Sequence, residues 1–469
     1  MSLNGILNTA YTGLTAQKAA IQVTSENISN MATPGYSKQT PIFETMPTTL
    51  DNGFPLGSGV QIAQVQRNYD DLLQTLLKKE NSNNGESTTE QTSMLRIQQL
   101  FPDLTGDGLG KSLENYFNAW QDLSTNPQGT PERQAVLSTG KLLADNFKQI
   151  NTYLTDLKTQ ANQSLAGLTN DINDKLKNIA SLNVEIQQTE SVNGNANELR
   201  DQRDLLVLDL AKKVGVNYKE ESNSNLTITL ASGETLVSGA TSGIFSVQDN
   251  GGNYDINLTQ AGSKTAAAID LSNSKGEIGG TLQVRDKTVD SYLTKLDELA
   301  YNLANQVNSM HKAGYGLDNS TGNDFFSPPA AMVGYSAVIT VAIGKTDQVA
   351  AADVDITAAA SGTGNNNNAL KLAGLKNTSI SSSAGNMTLP DYYNALVSSV
   401  GVGVQDAQRA TDLSNSVLTQ MNNLRESQSG VSLDEEMTNL IKYQKAFEGS
   451  AKVINTATEM MDTVLGLIR

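Results

Sequence analysis

The sequence predicts a mainly α-helical, elongated protein: a helical-bundle or coiled-coil rod formed by both chain ends, with inserted antiparallel β domains. Apolar residues recur every seven positions in the first thirty and last forty residues. A helical pattern runs from about residue 132 to about 190. Aromatic residues make up only 5% of the 469 residues, a balance that suits long helices burying apolar seams against their neighbours.

The N-terminal seam is the first of these heptad patterns. A companion row at positions 3, 10, 17, 24 and 31 completes an a/d-like arrangement, with the polar Gln17 and Thr24 inside it. The seam ends at a turn, because Pro34 disfavours helix at Thr33 and Gly35 permits a sharp bend. The seam residues are Leu7, Leu14, Ile21 and Ile28.

The C-terminal seam repeats this design. Ser432 and Glu435 have the spacing of a capping box, and residues 434–436 place negative charge at the positive end of the helix dipole. A companion row at positions 437, 444, 451, 458 and 465 accompanies the main row. The main row is Leu433, Leu440, Phe447, Ile454, Met461 and Ile468.

The long inner helix determines the predicted shape. Its seam runs from Val136 to Leu168 and then slips in register at Ile172, which is a stutter. At 1.5 Å per residue, residues 132–190 extend roughly 85 Å. A helix of that length does not fit inside a compact globule, so the pattern predicts a rod.

The remaining segments predict four structural parts. Period-two runs in 216–280 indicate an inserted β domain, and residues 326–388 form a smaller inserted β or loop segment, with 338–341 as a strand. The polar stretch 79–93 is compatible with either a continued helix or an interruption. We expect residues 1–35 and 432–469 to form a terminal coiled-coil inner-core domain. The rod domain then comprises 36–215, 281–325 and 389–431.

Composition excludes several function classes. The formal net charge of -16 argues against nucleic acid or an anionic membrane as a partner. The chain has no Cys and a single His, His311, which we expect to be a core or capping residue. We find no converging set of catalytic side chains, so we predict no enzymatic activity and no catalytic, cofactor-binding or metal-binding residues. The N-terminus lacks the features of a cleaved signal peptide.

Two terminal motifs resemble the bacterial flagellar axial protein family. Residues 30–37, Asn-Met-Ala-Thr-Pro-Gly-Tyr-Ser, are similar to a segment shared by rod, hook and hook-associated proteins, and 436–468 resemble the family's last helix. Internal stretches at 199–204, 276–286, 308–316 and 429–436 resemble the hook-associated members. The motif residues are Asn30, Thr33, Pro34, Gly35, Tyr36, Arg200, Asp201, Gln202, Arg203 and Asp204.

The resemblance implies a structural role and a location. It implies a subunit at the junction between hook and filament, outside the cell in the flagellum, exported without a cleaved signal peptide. It also implies self-association in a ring-like layer, with hook protein below and a second junction protein and filament above. A cytoplasmic export chaperone would hold the C-terminal region. A hook or rod protein, or a secreted adhesin on a helical stalk, is the alternative.

The seams themselves allow two arrangements. They pair within one chain as an ordinary coiled coil, or they are completed by neighbouring subunits; the resemblance favours contact between subunits through the ten residues of the two main rows. In the second case we expect ends that are disordered in the monomer and fold on assembly.

Arg200 and Asp204 are expected to form a solvated i,i+4 pair.

Overall fold

The structure is a computed structural model that describes residues 3–51, 54–102, 108–192, 194–221, 224–357, 362–383 and 385–467, except for the side chains of 49–55 and 467. Helices dominate these residues, as predicted. They are α1 Leu3–Ser29, α2 Asp71–Gln98, α3 Leu109–Thr125, α4 Thr130–Glu190, α5 Asn197–Lys213, α6 Gly276–Gln283, α7 Val289–Lys312, α8 Tyr335–Val338, α9 Asn367–Gly374, α10 Leu389–Ser429 and α11 Leu433–Leu467.

The strands of the described residues are short and antiparallel. They are β1 Gln39–Thr45, β2 Thr49–Asp51, β3 Phe54–Leu56, β4 Val60–Arg67, β5 Val216–Glu220, β6 Leu226–Leu230, β7 Thr235–Ser238, β8 Thr241–Ser242, β9 Ile244–Asn250, β10 Asn253–Thr259, β11 Ala266–Ala268, β12 Ser379–Ser382 and β13 Gly385–Thr388.

The long helix α4 organises the rod. It spans 61 residues, which corresponds to about 90 Å. Pro131 lies in its first turn, where a missing N–H costs no helical hydrogen bond. The seam residues Val136, Leu143 and Phe147 are buried, so the predicted long helix and its apolar face are confirmed.

A second pair of helices runs alongside α4. α2 packs along α10, and the polar stretch 79–93 lies inside α2 as continuous helix. α6 and α7 are joined by a π-helical turn, Val284–Thr288, so residues 276–312 form one nearly continuous helical element. The helical frame predicted for the rod is therefore present.

The β insertion consists of two sheets. β5, β6, β7 and β8 form a four-stranded antiparallel sheet in that order, and β9–β11 form a three-stranded sheet with β10 in the centre. Strand β6 shows strict alternation, with Leu226, Ile228 and Leu230 buried. This region confirms the predicted antiparallel strands.

The main core surrounds the rod's aromatic residues. Trp120 of α3 stacks edge-on against Phe325, with ring centroids 5.6 Å apart. His311 of α7 is buried beside them: its Nδ1 donates to the Asn323 carbonyl at 2.7 Å, and its Nε2 accepts from the Ala350 N–H at 3.1 Å. His311 is thus a core residue, as expected.

The prediction of a strand at 338–341 is wrong. Val338 ends the helical turn α8, and Val341 forms only an isolated bridge with Phe326. The Asp297 carboxylate closes the turn α8 by accepting hydrogen bonds from the N–H groups of Gly334 and Ser336 at 2.7 and 2.9 Å. After this turn the pairing with 325–327 is too short to make a strand: the Ser327 N–H donates to the Thr340 carbonyl and the Ala342 N–H to the Phe325 carbonyl, both at 2.8 Å. Within the inserted segment 326–388, α9 begins at Asn367.

Candidate subunit interface

The two terminal helices form one pair within a single chain. α1 packs along α11, and β1 and β4 lie against α1 at the base of the pair. Residues 3–29 and 433–467 are helical in the single chain, and the expectation that the ends fold only on assembly stays a prediction. A set of polar contacts at the base fixes the pair.

Asn27 of α1 is the centre of this base. Its amide Nδ2 donates to the Gln39 carbonyl at 2.8 Å, and its Oδ1 accepts from the Gln39 N–H at 2.9 Å. The same amide donates to Oε2 of Glu436 on α11 at 3.0 Å, and the Tyr36 hydroxyl donates to Asn27 Oδ1 at 2.9 Å. One buried side chain thereby joins α1, β1 and α11.

Lys38 adds a charged link to the same base. Its Nζ lies 2.6 Å from Glu435 and 3.4 Å from Glu436, and its backbone N–H donates to the Ser429 carbonyl at 2.8 Å. The acidic first turn of α11 is therefore paired with a cation, in addition to its interaction with the helix dipole.

The motif at residues 33–37 is attached to α5 through Asp201. The Ser37 N–H and hydroxyl each donate to the Asp201 carboxylate at 2.9 Å. Arg67 of β4 donates to Asp201 at 2.7 Å and to Asp204 at 2.9 Å. Burial raises the pKa of Asp201, an effect that Arg67 and Ser37 only partly offset. The two resemblance motifs, which are far apart in sequence, meet here.

Arg200 of the second motif does not have the ion-pair partner that the sequence predicts. Arg200 pairs with Glu190 at 2.7 Å and Glu220 at 2.6 Å, while Asp204 pairs with Arg67, so the predicted Arg200–Asp204 pair is wrong. The hydrogen bond from Arg200 lowers the pKa of Glu190 to about 2. The end of α4 and strand β5 both lie beside Arg200, whereas Arg67 of β4 lies beside Asp204.

Arg203 of the same motif is buried. It donates to the Asn183 side chain of α4 at 2.9 Å and to the Ser224 carbonyl at 3.0 Å. Gln202 is exposed. The second motif therefore connects α4, α5 and the strands through Arg200, Asp201, Arg203 and Asp204. The first motif forms the turn after α1 with Asn30, Thr33 and Pro34.

The predicted contact rows are only half-buried by this pairing. Leu433 is exposed, and Ile468 lies outside the described residues. The fully covered residues of α1 are Ala10, Ala16, Ala20, Val23, Thr24 and Asn27, of which Ala10 and Thr24 belong to the predicted companion row. The half-buried members of the predicted rows are Leu7, Leu14, Ile21, Ile28, Leu440, Phe447, Ile454 and Met461.

Sequence reasoning missed the residues that fix the base. Asn27, Lys38, Arg67 and Glu436 were not predicted as functional, because polar residues carry no heptad signal. The only available signal was position, since Ser37 and Lys38 directly follow the turn motif and Glu436 begins the C-terminal match.

The described residues hold no cluster of three or more His, Cys, Asp or Glu side chains able to bind a metal ion. Over the same residues, no helix has the length and apolar character that a membrane span requires.

Three family models match the chain. The one described as "Flagellar hook-associated protein FlgK helical domain" matches residues 94–326. "Flagellar basal body rod FlgEFG protein C-terminal" matches 425–467, and "Flagella basal body rod protein" matches 7–36. These matches cover α3 to α7 with the β insertion between them, then α11, and then most of α1 with the turn after it.

Relatives and a solved structure agree with these matches. The chain is 28% identical over 555 aligned residues to flagellar hook-associated protein 1 of Salmonella typhimurium, covering 99% of this chain and 100% of the relative. It is 29% identical over 503 residues to flagellar hook-associated protein 1 of Bacillus subtilis, covering 98% and 97%. The structure of the flagellar hook junction protein FlgK from Burkholderia pseudomallei shares the fold, with a TM-score of 0.67, 16% identity and coverage of 76% of this chain and 100% of that chain. The full-length match and the match to the FlgK helical-domain model agree with the pairing of the terminal helices. Together they place the chain in the flagellar hook-associated protein 1 family.

Proposed function

We propose that the chain is a non-enzymatic structural subunit of the bacterial flagellum that builds the junction between hook and filament. Its family membership supports a structural role, and the Burkholderia pseudomallei protein that shares its fold is a flagellar hook junction protein. The paired α1 and α11 are the part through which it assembles.

The exposure of apolar side chains along α11 is the observation that carries this proposal. Val453, Met460 and Val464 lie on one side of the helix and are 45%, 52% and 49% exposed. Leu433, Met437 and Ile441 lie on another side and are similarly exposed. Exposed apolar residues grouped on one element mark an interaction surface.

Neighbouring copies cover this face in the assembled layer. Full burial of an exposed Val, Leu or Met side chain contributes about 1.5–3 kcal/mol. Because these side chains are already about half covered, each contributes roughly half of that. The half-buried members of the predicted rows, such as Leu14 and Ile454, are completed by the same neighbours. The base contacts at Asn27 then determine how each helix pair is presented.

The partners follow from the resemblance of the sequence to the flagellar axial family. The subunits form a ring-like layer, with hook protein below and a second junction protein and then filament above. Before assembly, an export chaperone covers the C-terminal region, whose exposed apolar side chains need protection from aggregation. The mature protein is outside the cell, in the flagellum, and it is exported without loss of its N-terminus.

The domain division is proposed on the same basis. Residues 1–35 and 432–469 form the inner core of the layer, and 36–215, 281–325 and 389–431 form the rod. Residues 216–280 and 326–388 are the insertions. The β1–β4 hairpin is packed against α1, so the start of the rod segment also supports the inner core.

The test uses purified hook ends that lack this protein. Adding the wild-type chain is expected to permit filament growth when the later components are supplied. A Val453→Asp/Met460→Asp variant is expected to reduce capped hooks at least tenfold, because it places charge in the covered face. Asn455→Asp, at an exposed polar position about 160° from Val453 around the same helix, is the matched control.

Circular dichroism and thermal unfolding of each variant establish that the chain is folded. A folded wild-type chain that never caps hooks, or a double variant that caps as well as wild type, would contradict the proposal.

A further inference from the structure

The exposed sulfur atoms of the chain lie in its terminal segments. The sequence has 11 Met residues and no Cys, so its sulfur is present only as thioethers. Among the described residues, the methionines with exposed side chains are Met31, Met437 and Met460, at 49%, 45% and 52%. Met31 lies in the turn after α1, and the other two lie on α11. The part of the chain that assembles in the proposed function therefore also carries its most accessible sulfur.

The other described methionines are shielded. Met94 of α2 is 5% exposed, and its Cε would lie 2.6 Å from a Cβ at Gly403 of α10, so it fills the space that this glycine leaves. Because oxidants reach exposed thioethers first, Met437 and Met460 are expected to react before Met94. The half-buried methionines are those at positions 46, 310, 332, 387, 421 and 461.

Each exposed methionine of α11 has exposed aliphatic side chains beside it. Met437 is four positions from Leu433 and from Ile441, so these three side chains lie on one side of the helix. Met460 is four positions before Val464, in the second exposed apolar group. Aliphatic side chains have no hydrogen-bond donor. An oxygen atom added to either sulfur therefore finds no donor among the apolar side chains beside it.

Hydrogen peroxide converts a thioether into a sulfoxide in a single step. The sulfur attacks one peroxide oxygen, the O–O bond breaks, an S–O bond forms, and the other oxygen leaves as water after it takes up a proton. Sulfur loses two electrons, and the peroxide gains them. The product is polar and chiral, and methionine sulfoxide reductases return it to methionine.

We propose that Met437 and Met460 form a redox-sensitive modification site on the assembly surface of the free chain. Oxidation of these thioethers by a peroxide blocks assembly, because the neighbours that cover α11 then bury a polar oxygen without a hydrogen-bond partner. Assembly in turn protects both sulfurs from the oxidant. This inference rests on the proposed function and adds a chemical control to it. Subunits that meet a peroxide before they reach the hook are excluded from the layer, whereas subunits already in place stay intact.

The test begins with the full-length chain. It is treated with hydrogen peroxide, the excess is removed with catalase, and peptide mass spectrometry locates each added oxygen. Circular dichroism establishes that the oxidised chain is folded, and its capping of hook ends that lack this protein is compared with that of untreated chain. Oxidation is expected first at Met437 and Met460, with a loss of capping of about tenfold. Treatment with methionine sulfoxide reductases for both sulfoxide epimers is expected to restore capping.

Two variants identify the sulfurs responsible. Met437→Leu/Met460→Leu removes both at nearly constant side-chain volume. The readout is the ratio of capping after peroxide to capping before it, so a change in basal capping does not affect the comparison. The double variant is expected to lose the peroxide sensitivity. Met31→Leu is the matched control, because it removes an equally exposed sulfur outside α11, and it is expected to stay as sensitive as wild type.

Each outcome bears on the inference. An oxidised, folded wild-type chain that caps hooks as well as untreated chain overturns it and leaves the proposed function standing. Equal sensitivity of wild type and the double variant also overturns it, because the loss then arises at other residues. Untreated wild-type chain that caps no hooks overturns both proposals. On capped hooks, Met437 and Met460 are expected to be oxidised about tenfold more slowly than in the free chain, and equal rates would contradict the protection.

Discussion

The side-chain amide of Asn173, on α4, replaces a strand neighbour for Phe245, on β9. Its Nδ2 donates to the Phe245 carbonyl at 2.8 Å, and its Oδ1 accepts from the Phe245 N–H at 2.7 Å. An edge strand whose backbone groups are unpaired is exposed to pairing with other chains. The long helix satisfies this edge with one amide and fixes the β insertion to the rod.

The same arrangement recurs along α4. Asn162 donates to the Gly252 carbonyl at 2.7 Å and accepts from the Tyr254 N–H at 3.1 Å. Asn183 donates to the Leu226 carbonyl at 3.1 Å and accepts from its N–H at 3.3 Å. Three asparagines on one side of a helix therefore hold both sheets.

Asn173→Ala is expected to lower the free energy of unfolding by about 2 kcal/mol, because it leaves a buried N–H and carbonyl without partners. Urea denaturation followed by circular dichroism measures the change. Asn170→Ala, at an exposed position of the same helix, controls for helix propensity and is expected to be neutral or slightly stabilising. Equal stability of the two variants would show that the amide does not hold the sheet.

The contact between Arg67 and Asp201 is expected to be strongly coupled. Both side chains are buried, and removing one partner of a buried ion pair costs about 3–5 kcal/mol. Part of that cost is avoided in Arg67→Ala/Asp201→Ala, because both charges of the pair are removed and Asp204 keeps Lys78 at 3.9 Å. A double-mutant cycle in urea is expected to give a coupling free energy above about 1 kcal/mol.

The exposed pair Lys445 and Glu448 is the matched control for that cycle. Exposed pairs contribute about 0–1 kcal/mol, so its coupling is expected to be below that of Arg67 and Asp201. Comparable coupling in both cycles would mean that burial does not strengthen the contact at the base.

Heptad spacing was sufficient to predict that both ends of the chain are helical, but not which side chains of these helices are buried. The spacing emphasises large apolar side chains such as Leu14 and Ile21, and these are half-buried in the chain. The row that is covered contains Ala16, Ala20 and Asn27. Small side chains allow close approach, and a polar one is satisfied by hydrogen bonds; neither property appears in an apolar repeat.

Long-range polar contacts could not be predicted from the sequence for a similar reason. Ser37 and Asp201 are separated by 164 positions, and nothing in their spacing indicates that they meet. The assignment of a strand at 338–341 was wrong because an uncharged run of β-branched residues has the same pattern whether it extends or turns. The buried carboxylate of Asp297, on a distant helix, holds the turn that contains Val338.

The buried His311 is expected to make the rod sensitive to mild acid. Burial lowers its pKa to about 4, against 6.5 for the unperturbed group. Between those values the unfolded chain binds a proton that the folded chain does not, so stability is complete above about pH 6.5 and falls as the pH decreases towards 4. At pH 5 the loss is about 2 kcal/mol.

The His311→Gln variant isolates this effect, because glutamine does not titrate. Unfolding free energies of wild type and variant are compared at pH 8 and pH 5, and the decrease is expected to be about 2 kcal/mol larger for wild type. The comparison uses the pH dependence alone, so a lower absolute stability of the variant does not affect it. The same pH dependence in both chains would contradict the assignment.

Two helical glycines are expected to respond in opposite ways to alanine. A Cβ at Gly449 of α11 meets no atom within 4 Å, whereas a Cβ at Gly140 of α4 would lie 2.8 Å from Cε1 of Phe325. Alanine gains about 1 kcal/mol over glycine in a helix. Gly449→Ala is therefore expected to stabilise α11 by about that amount, measured by the helical content and thermal unfolding of the free chain.

Gly140→Ala has the same gain in propensity but forces a side chain into the aromatic core around Trp120 and Phe325. Overpacking of this kind costs about 1–3 kcal/mol, so the net effect is expected to be destabilising. Because both substitutions change one hydrogen to a methyl group in a helix, the difference between them measures packing alone. Stabilisation by both would mean that the aromatic core adjusts without cost, and that the close contact of α4 with Phe325 does not constrain the rod.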